Sequence, residues 1–331
     1  MVALPTAVVA DVFHGQWPGA AVLYRAVFAA RLRKLHVGRR DPANLAGHLE
    51  RSGLSGISQG LAVRQALRRL RQLRPALEPV STVMHVPRPT ALQPAVVSAV
   101  IPCLDEEAAI ARVVTSVLAQ DVCEVVVVDG GSRDRTVYEA TGAGARVVIE
   151  PRRGYGRAIQ VGIAAVRKDA DIVVFLDGDG SDPAEFIPDL VSPILAEKAV
   201  FVLGSRVRGA RERGSLTPQQ LMAAYVGRLL LRLVYGARFS DLSPFRAIRR
   251  DVLDRLGMSD MTYGWNLEML MRVAAARLPA CEIAVGQRRR LGGASKVSGN
   301  FTAGLKAAQA MMATFIQLAL RLRRAKDGFE K

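Results

Sequence analysis

Three carboxylates fall within six positions in Phe175-Leu176-Asp177-Gly178-Asp179-Gly180-Ser181-Asp182-Pro183, immediately after the apolar run Ile172 to Leu176. Hard divalent cations such as Mg²⁺ and Mn²⁺ take carboxylate oxygens together with phosphate oxygens and water. Asp177 and Asp179, separated by Gly178, could place one carboxylate on such a metal and the other on its water shell or on a ribose hydroxyl. A turn would select the same residue types for backbone reasons. Asp182, just before Pro183, reads as the N-cap of the next helix.

Two further stretches have residue types suited to a nucleotide. Asp129 ends the apolar run Val125 to Val128 and could accept a hydrogen bond from a nucleobase imide, while Gly130 and Gly131 would let backbone approach closely. A strand-ending turn is the alternative. Arg152-Arg153-Gly154-Tyr155-Gly156-Arg157 offers guanidinium donors ahead of a helix N-terminus, which suits a phosphate; taken alone it reads equally as a solvated basic loop.

Composition narrows the chemistry. All four histidines (His14, His36, His48, His85) precede residue 86, so the later chain has no His base, His metal ligand or Ser-His pair, which removes most hydrolase mechanisms. Cys103, Cys123 and Cys281 are widely spaced beside apolar runs and read as reduced structural thiols. The net charge is +16, and residues 1–95 hold thirteen Lys or Arg against four Asp or Glu, so +9 lies there and +7 in the rest. Such a balance implies an anionic partner: nucleic acid, an acidic membrane surface or a phosphorylated small molecule. Aromatics are only 5% of the chain and do not interleave with the arginines, and an acidic rim repels phosphates unless a metal is bound, so nucleic acid is not expected as a partner. No cleavable signal peptide or spanning helix is expected, because charges such as Asp11 and Arg25 interrupt the apolar stretches.

The elements that would carry these residues alternate. Residues 1–94 read as a basic extension ending in a Pro-marked linker, and Met84 is a possible natural start. From Ala95 we expect strands at 96–101, 125–128, 145–149, 172–176 and 200–203, with helices at 106–119 (Asp105 as N-cap), 135–140, 157–167 and 183–196. This is α/β: a mostly parallel, Rossmann-like sheet covered on both faces. Ligands of such sheets gather beyond the carboxyl ends of the strands, so the polar loops at 104–107, 129–132 and 177–179 should converge on one rim. Beyond residue 205 we expect a helix from Pro218 to about Tyr235, a short strand at 245–248, a helix at 265–276, a strand at 281–285 and a closing helix within 299–324.

Together, Ile101-Pro102-Cys103-Leu104-Asp105-Glu106-Glu107, Val127-Val128-Asp129-Gly130-Gly131-Ser132-Arg133-Asp134, Gly154-Tyr155-Gly156 and Asp177-Gly178-Asp179 resemble the GT-A fold of family 2 glycosyltransferases. Gly204-Ser205-Arg206, Ser240-Asp241-Leu242-Ser243-Pro244-Phe245-Arg246-Ala247, Trp265-Asn266-Leu267-Glu268, and Arg290 through Gly293-Ala294-Ser295-Lys296 are similar to one branch, the dolichyl- or polyprenyl-phosphate sugar synthases. The resemblance spans about residues 96–300. It implies a nucleotide-binding half at 95–205, an acceptor-side half at 206–298 and an amphipathic helix at 299–324. Pro102, Leu104, Asp105 and Glu106 would border the nucleoside, Asp129 and Gly130 the base, and Arg157 and Gly178 the rest of the sugar nucleotide. Asp177 and Asp179 would hold ribose and an Mg²⁺ or Mn²⁺ ion. Arg206, Ser243, Arg246 and Lys296 would lie at the acceptor phosphate, with Glu268 a carboxylate on that side.

The implied reaction is inverting transfer of a sugar from a UDP- or GDP-sugar to polyprenyl or dolichyl phosphate, at the cytoplasmic face of the cell membrane. The branch commonly has Gly where this chain has Pro244, and a soluble acceptor such as (phospho)glycerate is the alternative. An alcohol acceptor would need a base, with Asp241 and Glu268 the candidates; a phosphate monoester is already anionic and needs only positioning. The apolar stripe Leu221, Met222, Tyr225, Leu229, Leu230 and Leu233, flanked by Arg228 and Arg232, suits either a membrane surface or a core.

Overall fold

A computed structural model describes residues 95–292 and 311–320, all within one compact unit, Pro75–Lys331. Residues 1–94, the Gly-Ala-Ser-Lys stretch with Lys296, and most of the closing helix lie outside the described residues.

The Val/Ile runs form the strands expected of them. β1 (Val97–Cys103), β2 (Glu124–Asp129), β3 (Arg146–Ile149) and β4 (Ile172–Phe175) are mutually parallel, joined by α1 (Ile110–Leu118), α2 (Thr136–Gly142) and α3 (Tyr155–Ala165). A 3₁₀ turn (Ala184–Phe186), α4 (Ile187–Leu195) and β5 (Phe201–Ser205) follow. Then come α5 (Pro218–Tyr235), β6 (Arg246–Arg249), α6 (Arg250–Leu256), α7 (Trp265–Ala275) and β7 (Ala280–Ala284). The seven strands lie in the order β3-β2-β1-β4-β6-β5-β7, with β6 antiparallel to both neighbours. Val100, Ile101, Val126, Val127, Val173 and Val174 are all fully buried, as expected of a sheet covered on both faces.

Register brings the chemistry together. Cys103 pairs with Asp129, Val100 with Phe175, and Phe175 with Arg246, so β1, β2 and β4 end where the antiparallel β6 begins. That reversal delivers the loop 240–245 to the same rim as the three acidic loops.

Local chemistry sets the boundaries that differ from expectation. The helix after β1 starts at Ile110 rather than residue 106, because Asp105 adopts left-handed φ (+53°) instead of capping. The amides of Glu106 and Glu107 go instead to Thr136 Oγ1 and Asp134 Oδ2, stitching the β1 loop to the β2 loop. α5 starts and stops where its signals lie. Thr217 and Gln220 form a reciprocal capping box ahead of Pro218, and Gly236 closes the helix in the left-handed region.

The apolar stripe of α5 divides. Leu230 is buried with Ala224, Val226, Leu231 and Val234, whereas Met222, Tyr225, Leu229 and Leu233 are half-buried and Leu221 is exposed. The helical stretch 311–320 buries Met312, Phe315, Leu318 and Ala319, with Phe315 against Tyr235, so its apolar face is core. Cys103 is buried and Cys281 partly so; Cys123 is exposed, so it is not the structural core thiol expected of it.

Candidate active site

The chain turns sharply after β4, and this packs the carboxylates together. The Asp177 amide donates to Asp182 Oδ2 at 3.0 Å and the Ser181 amide to Asp179 Oδ1 at 2.8 Å. Gly178 lies where a Cβ would overlap Cys103 Sγ, so the loop rests directly on the end of β1. Burial, reinforced by Asp182 and Asp179, pushes the Asp177 carboxyl well above its ordinary range, and burial pushes Asp182 up to about 7. Asp182 is therefore not the cap of the next helix, whose first turn has no side-chain cap; it faces the cluster, and its Oδ1 is buried with no partner among the described residues. Tyr155 Oη reaches Asp177 Oδ1 at 3.3 Å, and Tyr263, largely exposed, stacks on Tyr155 at 5.9 Å.

Around this cluster the residues expected at the nucleoside form one wall. Pro102, Leu104 and Glu106 are half-buried and Asp105 is exposed, its carboxylate accepting from the Arg133 amide at 2.9 Å. Asp129 is buried; its Oδ2 accepts from the amides of Gly131 and Ser132, and its Oδ1 from the Ser132 hydroxyl. It thus forms the strand-ending turn named as the alternative above. The Gly130 amide donates to Cys103 O at 2.8 Å. Arg157 is half-buried, with Nε lacking a partner among the described residues. Arg290 crosses the rim from the segment after β7, with Nη2 at 2.5 Å from Glu106 Oε1 and Nη1 at 3.1 Å from Asp179 Oδ2.

The described residues expected at the acceptor are engaged in hydrogen bonds and ion pairs within the protein. Arg206 is bound bidentately to the fully buried Asp241, both contacts at 2.8 Å. Arg246 is fully buried and donates to the carbonyls of Ser243, Pro244 and Asn266, so it braces the loop from behind; burial lowers its pKa to about 10. The hydroxyl of buried Ser243 accepts from the Phe245 amide. Glu268 accepts from Ser259, the Asp260 amide and Arg272, holding the 259–262 segment against Gly154 and Gly156. Arg246, Ser243 and Glu268 are therefore engaged in bracing the loops around them. Asp241 and Glu268 are both spent as bases.

Sequence reading placed Arg290 and Tyr155 inside family motifs but gave neither an individual role. A run of three arginines at 288–290 was the available signal for the first. For the second it was an aromatic between two glycines.

Asp177 and Asp179 offer the oxygen ligands that a hard divalent cation takes alongside phosphate, though no group of three or more His, Cys, Asp or Glu among the described residues is arranged to hold a metal unaided. Oxygen ligands dominate, one buried carboxylate oxygen on Asp182 is unpartnered, and the crowded carboxylates resist ionisation together unless a cation joins them.

A doubly covered α/β sheet with one acidic rim is the architecture of a GT-A transferase. Residues 98–257 match the family model "Glycosyl transferase family 2". An uncharacterized glycosyltransferase of Mycobacterium tuberculosis (strain ATCC 25618 / H37Rv) is 38% identical over 208 residues, covering 62% of this chain and 90% of that one. The dolichyl-phosphate hexose transferase of Haloferax volcanii is 31% identical over 195 residues, covering 57% and 81%. The crystal structure of M. tuberculosis glucosyl-3-phosphoglycerate synthase with Mn²⁺, UDP-glucose and phosphoglyceric acid superposes with a TM-score of 0.54 at 25% identity, covering 76% of this chain and 83% of that one. The chain belongs to glycosyl transferase family 2 and is a glycosyltransferase.

Proposed function

We propose that the protein transfers a sugar from a nucleoside diphosphate sugar to a soluble phosphorylated acid of the phosphoglycerate type, with Mg²⁺ or Mn²⁺ at the rim. The observation that carries this reading is the cluster of half-buried Asp177 with buried Asp179 and Asp182 beside the end of β1. The structural likeness to a synthase holding Mn²⁺, UDP-glucose and phosphoglyceric acid supports the choice of ligands and of acceptor.

In this reading Pro102, Leu104, Asp105 and Glu106 border the nucleoside. The turn of Asp129 and Gly130 meets the base through lone pairs its own hydrogen bonds leave unused, and Arg157 and Gly178 flank the sugar nucleotide. Asp177 and Asp179 would hold the metal together with the diphosphate oxygens, and the metal would supply positive charge to the departing diphosphate. Arg206, fixed by Asp241, presents a cation toward the acceptor, and Arg246, Ser243 and Glu268 fix the loops around it. Since Asp241 and Glu268 are consumed in ion pairs or hydrogen bonds, the anionic oxygens that the substrates bring must receive any proton the nucleophile loses. Lys296 keeps its expected place at the phosphates as part of the proposal.

The polyprenyl-phosphate acceptor expected from the motifs is the second reading. The 81% coverage of the dolichyl-phosphate hexose transferase and the half-exposed stripe on α5 favour it. No helix among the described residues is long and apolar enough to cross a membrane.

The test is release of nucleoside diphosphate from a panel of UDP- and GDP-sugars, with and without phosphoglycerate and divalent metal. Acceptor-stimulated, metal-dependent release is expected from one nucleotide class; release that ignores both additions would refute the reading.

A further inference from the structure

Arg290 holds a position that a bound metal would contest. Its guanidinium is the only cationic group among the described residues in ion-pair contact with Asp179, and it simultaneously reaches Glu106 on the opposite loop. The backbone that carries it is pinned: the Arg288 amide donates to Ser181 O at 2.9 Å and the Leu291 amide to Asp179 O at 3.1 Å. Leu291 also packs over Gly180, where a Cβ would clash. The side chain is 29% exposed, and its Nε is buried without a partner among the described residues, so one donor of the fork is unused. A long side chain on a fixed backbone can thus turn between the carboxylates and the space above them.

A divalent ion bound through Asp179 Oδ2 would approach to roughly 2.1 Å, beside a cation that now sits 3.1 Å from the same oxygen. Two cations sharing one carboxylate oxygen repel, which favours departure of the guanidinium when the metal binds. A diphosphate arriving with the metal offers the released guanidinium two new oxygens in the geometry its fork prefers.

We propose that Arg290 is an internal counter-ion that the incoming metal displaces from Asp179 and that then binds the diphosphate, making metal and nucleotide bind cooperatively. This rests on the functional reading above. Metal alone must break the Arg290–Asp179 pair without replacement, whereas metal with nucleotide exchanges it for another. The coupling is reciprocal by thermodynamic necessity.

The experiment measures Mn²⁺ binding to the full chain, by loss of the free-ion electron paramagnetic resonance signal, with and without UDP. Wild type is compared with Arg290→Gln and Arg290→Lys, with melting curves to verify folding. Wild type is expected to bind Mn²⁺ weakly alone and more tightly with UDP. Arg290→Gln should bind Mn²⁺ alone about one-and-a-half- to fivefold more tightly, the span expected of a partly exposed ion pair, and should lose most of the gain from UDP. Arg290→Lys should keep the weak metal binding but show a reduced gain, because a point charge lacks the fork. If wild type shows UDP-dependent Mn²⁺ binding and Arg290→Gln matches it in both conditions, the counter-ion proposal fails while the functional reading stands. If wild type binds neither Mn²⁺ nor UDP, both fall.

Discussion

Asp179 and Glu268 are both buried carboxylates, yet they predict opposite phenotypes. Asp179 sits beside Asp177 and Asp182 as well as Arg290, so Asp179→Asn trades relief of repulsion against loss of the Arg290 pair: metal-dependent turnover should fall by about two orders of magnitude or more, with a melting temperature changed little. Glu268 is the reverse. Burial alone would raise its pKa, but hydrogen bonds from Asp260 and Ser259 and the Arg272 charge outweigh it and hold it below the usual carboxylate range. A depressed carboxylate contributes stability above the unfolded-state pKa and loses it as pH falls through the folded-state value. Glu268→Gln should therefore cost on the order of 3 kcal/mol at neutral pH in denaturant unfolding, the difference from wild type shrinking toward acid. A constant difference down to low pH would show that the charge does not matter. At this scale the sequence disclosed residue types and hid directions. That Arg246 and Glu268 matter could be read from their motifs, but that one props carbonyls and the other caps a loop depends on burial partners up to twenty positions away.

The loops work because strands end together. Their convergence was readable from apolar runs followed by Asp and Gly, since parallel strands bury both faces and expose only their ends. The late start of α1 and the reversal of β6 were not, because each is decided by a partner: the first by Asp134 and Thr136, the second by its place between β4 and β5. Contact between Gly178 and Cys103 ties the β4 loop to β1. Gly178→Ala should destabilise by about 2 kcal/mol and impair turnover, and Cys103→Ala should restore much of both in the double variant. Simple additivity would mean the loop yields elsewhere. The thiols report the same packing. Burial first, then Glu106, Asp129, Asp177 and Asp179, raises the Cys103 pKa well above its ordinary value, so an alkylating reagent should label exposed Cys123 in the native protein and Cys103 only after unfolding.

For the whole molecule, fold and family were legible because four motifs recur in order along one sheet, whereas acceptor identity depends on surfaces that motifs describe poorly. The apolar face of 311–320 illustrates this: its helical periodicity suits a membrane surface and a core equally, and the structure uses it as core. The central claim is a metal-dependent transfer to a soluble phosphorylated acid. Its most direct test gives purified protein a nucleotide sugar labelled in the sugar, Mn²⁺, phosphoglycerate and vesicles of polyprenyl phosphate in one vessel, and follows the label after organic extraction. The account predicts label in a new aqueous phosphorylated product, absent with chelator and with Asp179→Asn; label in the organic phase alone would contradict the acceptor, and transfer that survives chelation would contradict the site.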